Sequence, residues 1–463
     1  MVVLYVLIAL VVVGLLTGVH WYVWRRLVRD TTARGGWARR TGTAAAFALP
    51  LISVGALIAG RAGAPFPLQR ALAWPGYLWL ALLLYLTLAL LVGEAVRPLL
   101  RAWLGRNEPA DGRLTDVPAP AVGGLVGVAA VPEGGVVCDG AGAAVVSEAE
   151  VVVDGAAKTA TDAVKTATDA VEAATDAAKG GAADPAPASS SRRLFVARAV
   201  AVGATAVAAG TVGYGAYTVL RGPRLKRITV PLAKLPRRAH GFRIAVVSDI
   251  HLGPILGRDH TRRVVEAVNR TNPDLVAVVG DLVDGSVADL GPAAEPLRGL
   301  SARHGSYFVT GNHEYYSGAA EWVDHVRELG LRPLENERTE LPGFDLAGVN
   351  DVAGESEGHG PDFGKALGDR DRSRASVLLA HQPVVIHDAV KAGVDLQLSG
   401  HTHGGQLWPG NYVAELANPT AAGLDRYGDT QLYVTRGAGA WGPPVRVGAP
   451  PDVTVVELAS TRA

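Results

Sequence analysis

Five short polar clusters recur in the second half of this chain, each at or just past the end of an apolar run of strand length. They are Asp249-x-His251, Gly280-Asp281-Leu282-Val283-Asp284, Gly311-Asn312-His313-Glu314, His381-Gln382-Pro383 and Gly400-His401-Thr402-His403. Alternate residues of an extended strand point the same way, so Asp249 and His251 can grip one ion together. Taken singly, a cluster of this kind reads equally well as a turn with a capping side chain, because Asn and Asp favour turns for conformational reasons. Taken together, they require a fold that brings five strand ends to one rim.

The runs that carry the clusters predict strands at residues 243–248, 275–280, 307–310, 376–380 and 396–399, with two more at 432–435 and 453–458. β-Branched residues are common in several of them. Residues 260–270 are charged, with Val264, Val265 and Val268 at helical spacing and Asn272-Pro273 after their end. Residues 321–329 read as another helix, closed by Gly330. This texture is α/β: mixed sheet flanked by helices, with the active-site loops at strand ends.

The first half of the chain is of another kind. Residues 2–24 form an apolar run closed by Arg25-Arg26, long enough for a bilayer core of roughly 30 Å. No basic stretch precedes it, as a cleaved leader would require. Further runs cover residues 43–60 and 74–96, with Trp74, Tyr77 and Trp79 placed as an aromatic belt. Arg25, Arg26, Arg29, Arg34, Arg39 and Arg40 crowd the first connection, which the positive-inside rule puts in the cytoplasm. The connection at residues 61–73 holds only Arg61 and Arg70, as an outer loop would.

Residues 105–191 lack any aromatic residue and are rich in Ala, Gly, Pro, Val, Thr and Asp. We expect a disordered linker there, with a fluctuating helix over the heptad-like repeat at 158–178; the alanine-rich stripe supports a coiled coil only weakly. Ser191-Arg192-Arg193-Leu194-Phe195 then opens a run to Leu220 that reads either as an internal twin-arginine signal or as an ordinary fourth span. Either sends the remainder outward. The expected organisation is therefore three spans in 1–104, a linker in 105–191, a fourth span in 192–220 and a catalytic domain in 221–463, in a multi-pass protein of the cell membrane with an extracytoplasmic domain. Lys+Arg and Asp+Glu number 44 each, so no charge excess points to nucleic acid. The single cysteine, Cys138, excludes an internal disulfide and a thiolate cluster.

In their order and strand register the clusters resemble the motifs of the calcineurin-like metallophosphoesterases, D-x-H, G-D-x-x-D, G-N-H-E, H and G-H-x-H. Among these, the membrane-anchored bacterial phosphoesterases are most similar. The resemblance covers residues 242–458 and implies a calcineurin-like β-sandwich flanked by helices, with a dinuclear metal site. Asp249, His251 and His403 would hold one ion, Asn312, His381 and His401 the other, and Asp281 would bridge them. His313 would handle the proton and Asp284 would orient it. Imidazole, carboxylate and amide oxygen suit Mn, Fe, Zn or Co. The implied activity is hydrolysis of a phosphoester, in particular a phosphodiester, by a metal-bridging hydroxide, and membrane placement points to a lipid-linked substrate. The alternative is a phosphoryl-ligand sensor that uses the same site without turnover.

One departure and several outlying residues stand apart. Gly285-Ser286 follows Asp284 where phosphoprotein phosphatases carry an arginine, which argues against a protein phosphatase. Trp408 and Trp441, on Gly/Pro-rich loops, either bury against the sheet or form an apolar lip. Arg436 and Arg446 either touch phosphate or, as we expect, pair with carboxylates at the surface. His20, His240, His260, His304, His325, His359 and His387 lack ligand spacing and are expected at the surface or in structural roles.

Overall fold

A computed structural model describes residues 2–106 and 188–462. The linker and its heptad-like repeat lie outside the described residues. Four long helices come first: α1 (Val2–Trp24), α2 (Trp37–Ile58), α3 (Phe66–Arg106) and α4 (Ala188–Leu220). Among the described residues, three stretches are long and apolar enough to cross a membrane: Trp37–Ile58, Phe66–Leu100 and Arg192–Leu220. The second and third runs thus begin earlier than their apolar cores suggested. Arg39 and Arg40 fall in the first turn of α2, and α3 takes in the residues expected as an outer loop after Pro65. Pro67, near the amino end of α3, is tolerated because the first-turn N–H groups have no partner within the helix.

After α4 the chain enters an α/β sandwich of two six-stranded sheets. The first contains β1 (Arg224–Leu232), β2 (Phe242–Val247), β3 (Leu275–Val279), β4 (Ser306–Val309), β5 (Arg332–Pro333) and β12 (Asp452–Ser460), ordered β1-β12-β2-β3-β4-β5. The second contains β6 (Glu337–Leu341), β7 (Phe344–Gly348), β8 (Ala375–Leu379), β9 (Leu396–Ser399), β10 (Gly423–Tyr427) and β11 (Thr430–Val434), ordered β10-β11-β9-β8-β7-β6. All seven strands expected from the sequence are present within one or two residues of their predicted ends.

Alternation along the strands explains the layers. Ile244 and Val246 of β2, with Leu275, Ala277 and Val279 of β3, face the other sheet and share one core with its Val377, Leu379, Leu396 and Leu398. Ala245, Val247, Val276 and Val278 point the other way and are covered by α5 (Arg258–Asn269), through Val264 and Val268, and by α8 (Ala319–Glu328), through Trp322 and Val326. Burial on both faces is why these strands read as continuous apolar runs. α6 (Val287–Ala294) and α7 (Asn312–Ser317) precede α8. α9 (Phe363–Leu367) and α10 (Ile386–Ala392) cover the outer face of the second sheet, and α11 (Gly410–Ala417) follows β9.

By contact density the chain divides into Met1–Leu91 with Ala204–Ala463, and Val92–Gly203. Within the first unit the helices touch the sandwich directly. The Tyr85 hydroxyl of α3 donates to the Trp408 carbonyl at 3.0 Å, and Val219 of α4 packs with Leu256 and Ala440. Phe66 packs against the core beneath the first sheet. Within the second unit, Gly93 of α3 meets Val200 of α4 so closely that a Cβ there would lie 2.5 Å from a valine methyl.

Candidate metal centre

β2, β3 and β4 are parallel neighbours in one sheet, and β8 and β9 are parallel neighbours in the other, so the carboxyl ends within each sheet share an edge. The two edges meet. The His401 N–H donates to the Asp249 carboxylate at 3.0 Å, and His381 Nδ1 lies 2.9 Å from the Val279 carbonyl. All five sequence clusters therefore reach one rim.

The backbone is strained where it turns inward. Asp249, His251, Asp281, His401 and His403 all have positive φ, between 48° and 73°. Each such non-glycine conformation costs roughly 1 kcal/mol or more, and persists only where the surroundings enforce it. Gly280 shares the constraint with φ of +74°, and a Cβ there would come within 2.7 Å of both the Gly311 nitrogen and His381 Nδ1.

Three groups of donors lie close together: Asp249, His251 and His403; His251, Asp281 and His313; and Asp281, His381 and His401. His251 Nε2 is 3.0 Å from His403 Nε2 and 3.8 Å from Asp281 Oδ2, and His403 Nε2 is 3.3 Å from Asp249 Oδ1. On the other side, Asp281 Oδ2 is 3.1 Å from His381 Nε2, and Asn312 Oδ1 is 3.0 Å from His401 Nδ1. Asp281 thus stands between two sets of imidazoles.

The donor chemistry fits divalent cations. His381 Nε2 is buried without a hydrogen bond among the described residues, although Asp281 Oδ2 is 3.1 Å away. Its Nδ1 donates to the Val279 carbonyl, which turns Nε2 into the site. His251 is arranged likewise, with Nδ1 2.9 Å from Asp284 Oδ1. Burial alone would lower the pKa of His251, but the Asp284, Asp281 and Asp249 carboxylates outweigh it and lift it to about 9. The same balance, dominated among its charges by Asp281, raises His381 well above the ordinary range. Burial, with the nearby His381 charge, lowers His401 to about 4, and burial with Arg446 lowers His403 well below its usual value.

His313 and Asp284 sit at the edge of this set. Asp284 Oδ1 lies 2.7 Å from His313 Nδ1, so one carboxylate serves both His313 and His251. The carboxylate can only accept, which puts a proton on His313 Nδ1 and turns Nε2 toward the site. Burial would raise Asp284, but His251 and His313 hold it down at about 2. The loop after it is pinned by the buried Trp322, whose indole N–H donates to the Gly285 carbonyl at 2.9 Å. Trp441 meets the His313 ring edge-on, with centroids 5.9 Å apart. It is 52% exposed and Trp408 is 48% exposed, so both tryptophans stand out as lips instead of burying against the sheet.

Two residues escaped the sequence reading. Glu314 accepts N–H groups from Asp281, Leu282 and Gly311, at 3.0, 2.7 and 2.6 Å, and so ties two of the clusters together. Burial pushes its carboxyl up to about 7. Its place in the first turn of α7 was the available signal. Arg446 had none. Expected in a surface ion pair, it is instead buried, donating to the Gly439 and His403 carbonyls at 2.7 Å and lying 2.9 Å from His403 Nδ1. A guanidinium spreads several donors in a plane, which is why one side chain can brace both loops. Arg436 lines a separate cavity of about 460 Å³ beside Gly404 and Glu415.

The profile of the calcineurin-like phosphoesterase family matches residues 242–405. A Danio rerio protein named transmembrane protein with metallophosphoesterase domain is 39% identical over 60% of this chain and 65% of its own length. An uncharacterized metallophosphoesterase from Helicobacter pylori is 36% identical over 58% of this chain and 72% of its own. Another, from Aquifex aeolicus, is 36% identical over 53% of this chain and 95% of its own.

Proposed function

We propose that this chain, which belongs to the calcineurin-like metallophosphoesterase family, is a membrane-anchored hydrolase that cleaves phosphodiesters at a dinuclear metal centre facing out of the cytoplasm. The observation that carries the reading is the position of Asp281, whose carboxylate lies 3.1 Å from His381 Nε2 and 3.8 Å from His251 Nε2, one in each donor set. In this reading Asp249, His251 and His403 would hold one ion, Asn312, His381 and His401 would hold the second, and Asp281 would contribute to both. Two divalent cations there would supply Lewis acidity, withdrawing charge from the phosphoryl oxygens and lowering the pKa of water.

The chain's own part is positioning and proton transfer. A water oxygen forms the new bond to phosphorus, the bond to the leaving oxygen breaks, His313 Nε2–H protonates the departing alkoxide, and the proton given up by the water restores His313 Nε2–H. Asp284 accepts the His313 Nδ1–H and offsets the charge of the doubly protonated ring. The arginine-rich connection between α1 and α2 supports the outward orientation of the domain.

The test uses the full chain in nanodiscs, stripped of metal and reloaded with Mn²⁺, with bis-p-nitrophenyl phosphate as substrate. Two ions per chain and turnover lost in Asp281→Ala are expected. Metal binding without turnover on any phosphoester would favour the sensor.

A further inference from the structure

The catalytic edge opens into a cavity of about 400 Å³ whose other wall comes from the amino-terminal helices. His251, Asp284 and His313 line one side, and Leu57, Arg61 and Phe66 line the other. Three features of that far wall belong together. First, Arg61 is the sole arginine or lysine among the described residues lining the cavity. It is exposed, and among the described residues no hydrogen bond or ion pair engages it. Second, Gly285 and Ser286 line the same cavity beside Asp284, so among the described residues the domain itself offers no arginine or lysine there. Third, Leu57 is 42% exposed and lies one residue before the end of α2, an apolar helix of membrane-spanning length. The cavity therefore begins where a bilayer-crossing helix ends.

We propose that the turn between α2 and α3 is the substrate-selecting wall of the site: Arg61 binds the anionic group of the substrate, and Leu57 and Phe66 receive an alkyl chain. The substrate is then an amphiphilic phosphoester drawn from the bilayer. This rests on the phosphoesterase reading above. A guanidinium meets phosphate oxygens with two parallel N–H donors, and a charge-assisted contact of that kind is stronger than a neutral one. An alkyl chain gains with each methylene buried, so a chain only partly covered by the wall still separates an amphiphile from inorganic phosphate.

The experiment is calorimetric titration of the full, Mn²⁺-loaded chain in nanodiscs with inorganic phosphate and with hexyl phosphate. Hexyl phosphate is expected to bind about tenfold or more tightly than inorganic phosphate. Arg61→Gln should weaken both by about tenfold, with Arg61→Lys recovering part of the loss. Leu57→Ser should weaken hexyl phosphate alone. Equal affinity for the two ligands would overturn the amphiphile, and an unchanged affinity in Arg61→Gln would overturn the anion contact. Turnover of bis-p-nitrophenyl phosphate by the parent chain is followed alongside. If it is present without a hexyl preference, this inference fails alone; if it is absent, the phosphoesterase reading fails with it.

Discussion

At the scale of single residues, the site is a set of imidazoles whose free nitrogens are fixed by what their other nitrogens touch. His313 is the residue whose removal separates chemistry from assembly. His313→Ala should lower kcat by about 10²–10³, the usual contribution of a placed acid, while metal content by elemental analysis stays at the parent value. Arg446 acts differently, through His403. Arg446→Met leaves the Gly439 and His403 carbonyls without their buried donors. A loss of about 2–4 kcal/mol is expected, seen as a fall in Tm together with a lower metal stoichiometry. A fall in Tm with full metal occupancy would reduce Arg446 to a packing role.

At the scale of elements, α5 carries a buried strain of another sort. His260 is fully buried on its inner face, and neither ring nitrogen has a hydrogen-bond partner among the described residues. Burial, reinforced by the Arg263 and Arg446 charges, lowers its pKa from 6.5 to about 3. Below pH 6.5 the unfolded chain takes up a proton that the folded chain refuses, so the stability associated with this group is complete above that pH and is lost as pH falls toward 3. The slope is at most about 1.4 kcal/mol per pH unit. His260→Leu removes both the titration and the unsatisfied nitrogens, so the variant should lose less Tm than the parent between about pH 7 and pH 5. Parallel curves for the two proteins would exclude His260 from the acid response.

At the scale of the whole molecule, the sandwich and the turn after α2 share one cavity, which requires them to lie on the same side of a membrane. In a Cys138→Ser background, Ala62→Cys and Ser317→Cys should react with an impermeant maleimide added to one face of sealed vesicles, and Arg34→Cys only with reagent on the other. Labelling of Ala62→Cys and Arg34→Cys from one face would refute the arrangement.

The strands, the order of the clusters and the donor types were legible because each is local: a short apolar run and a motif at its end need no knowledge of the neighbours. Asp249, His251, Asp281, Asn312, His313, His381, His401 and His403 are all found at one rim for that reason. The positive φ angles, the shared carboxylate of Asp284 and the buried brace of Arg446 were decided by contacts across both sheets. Sequence alone determined which residues face a common edge. Only the tertiary structure decided what stands opposite that edge, because the wall bearing Arg61 is separated from His251 by 190 residues of chain and meets it through packing alone.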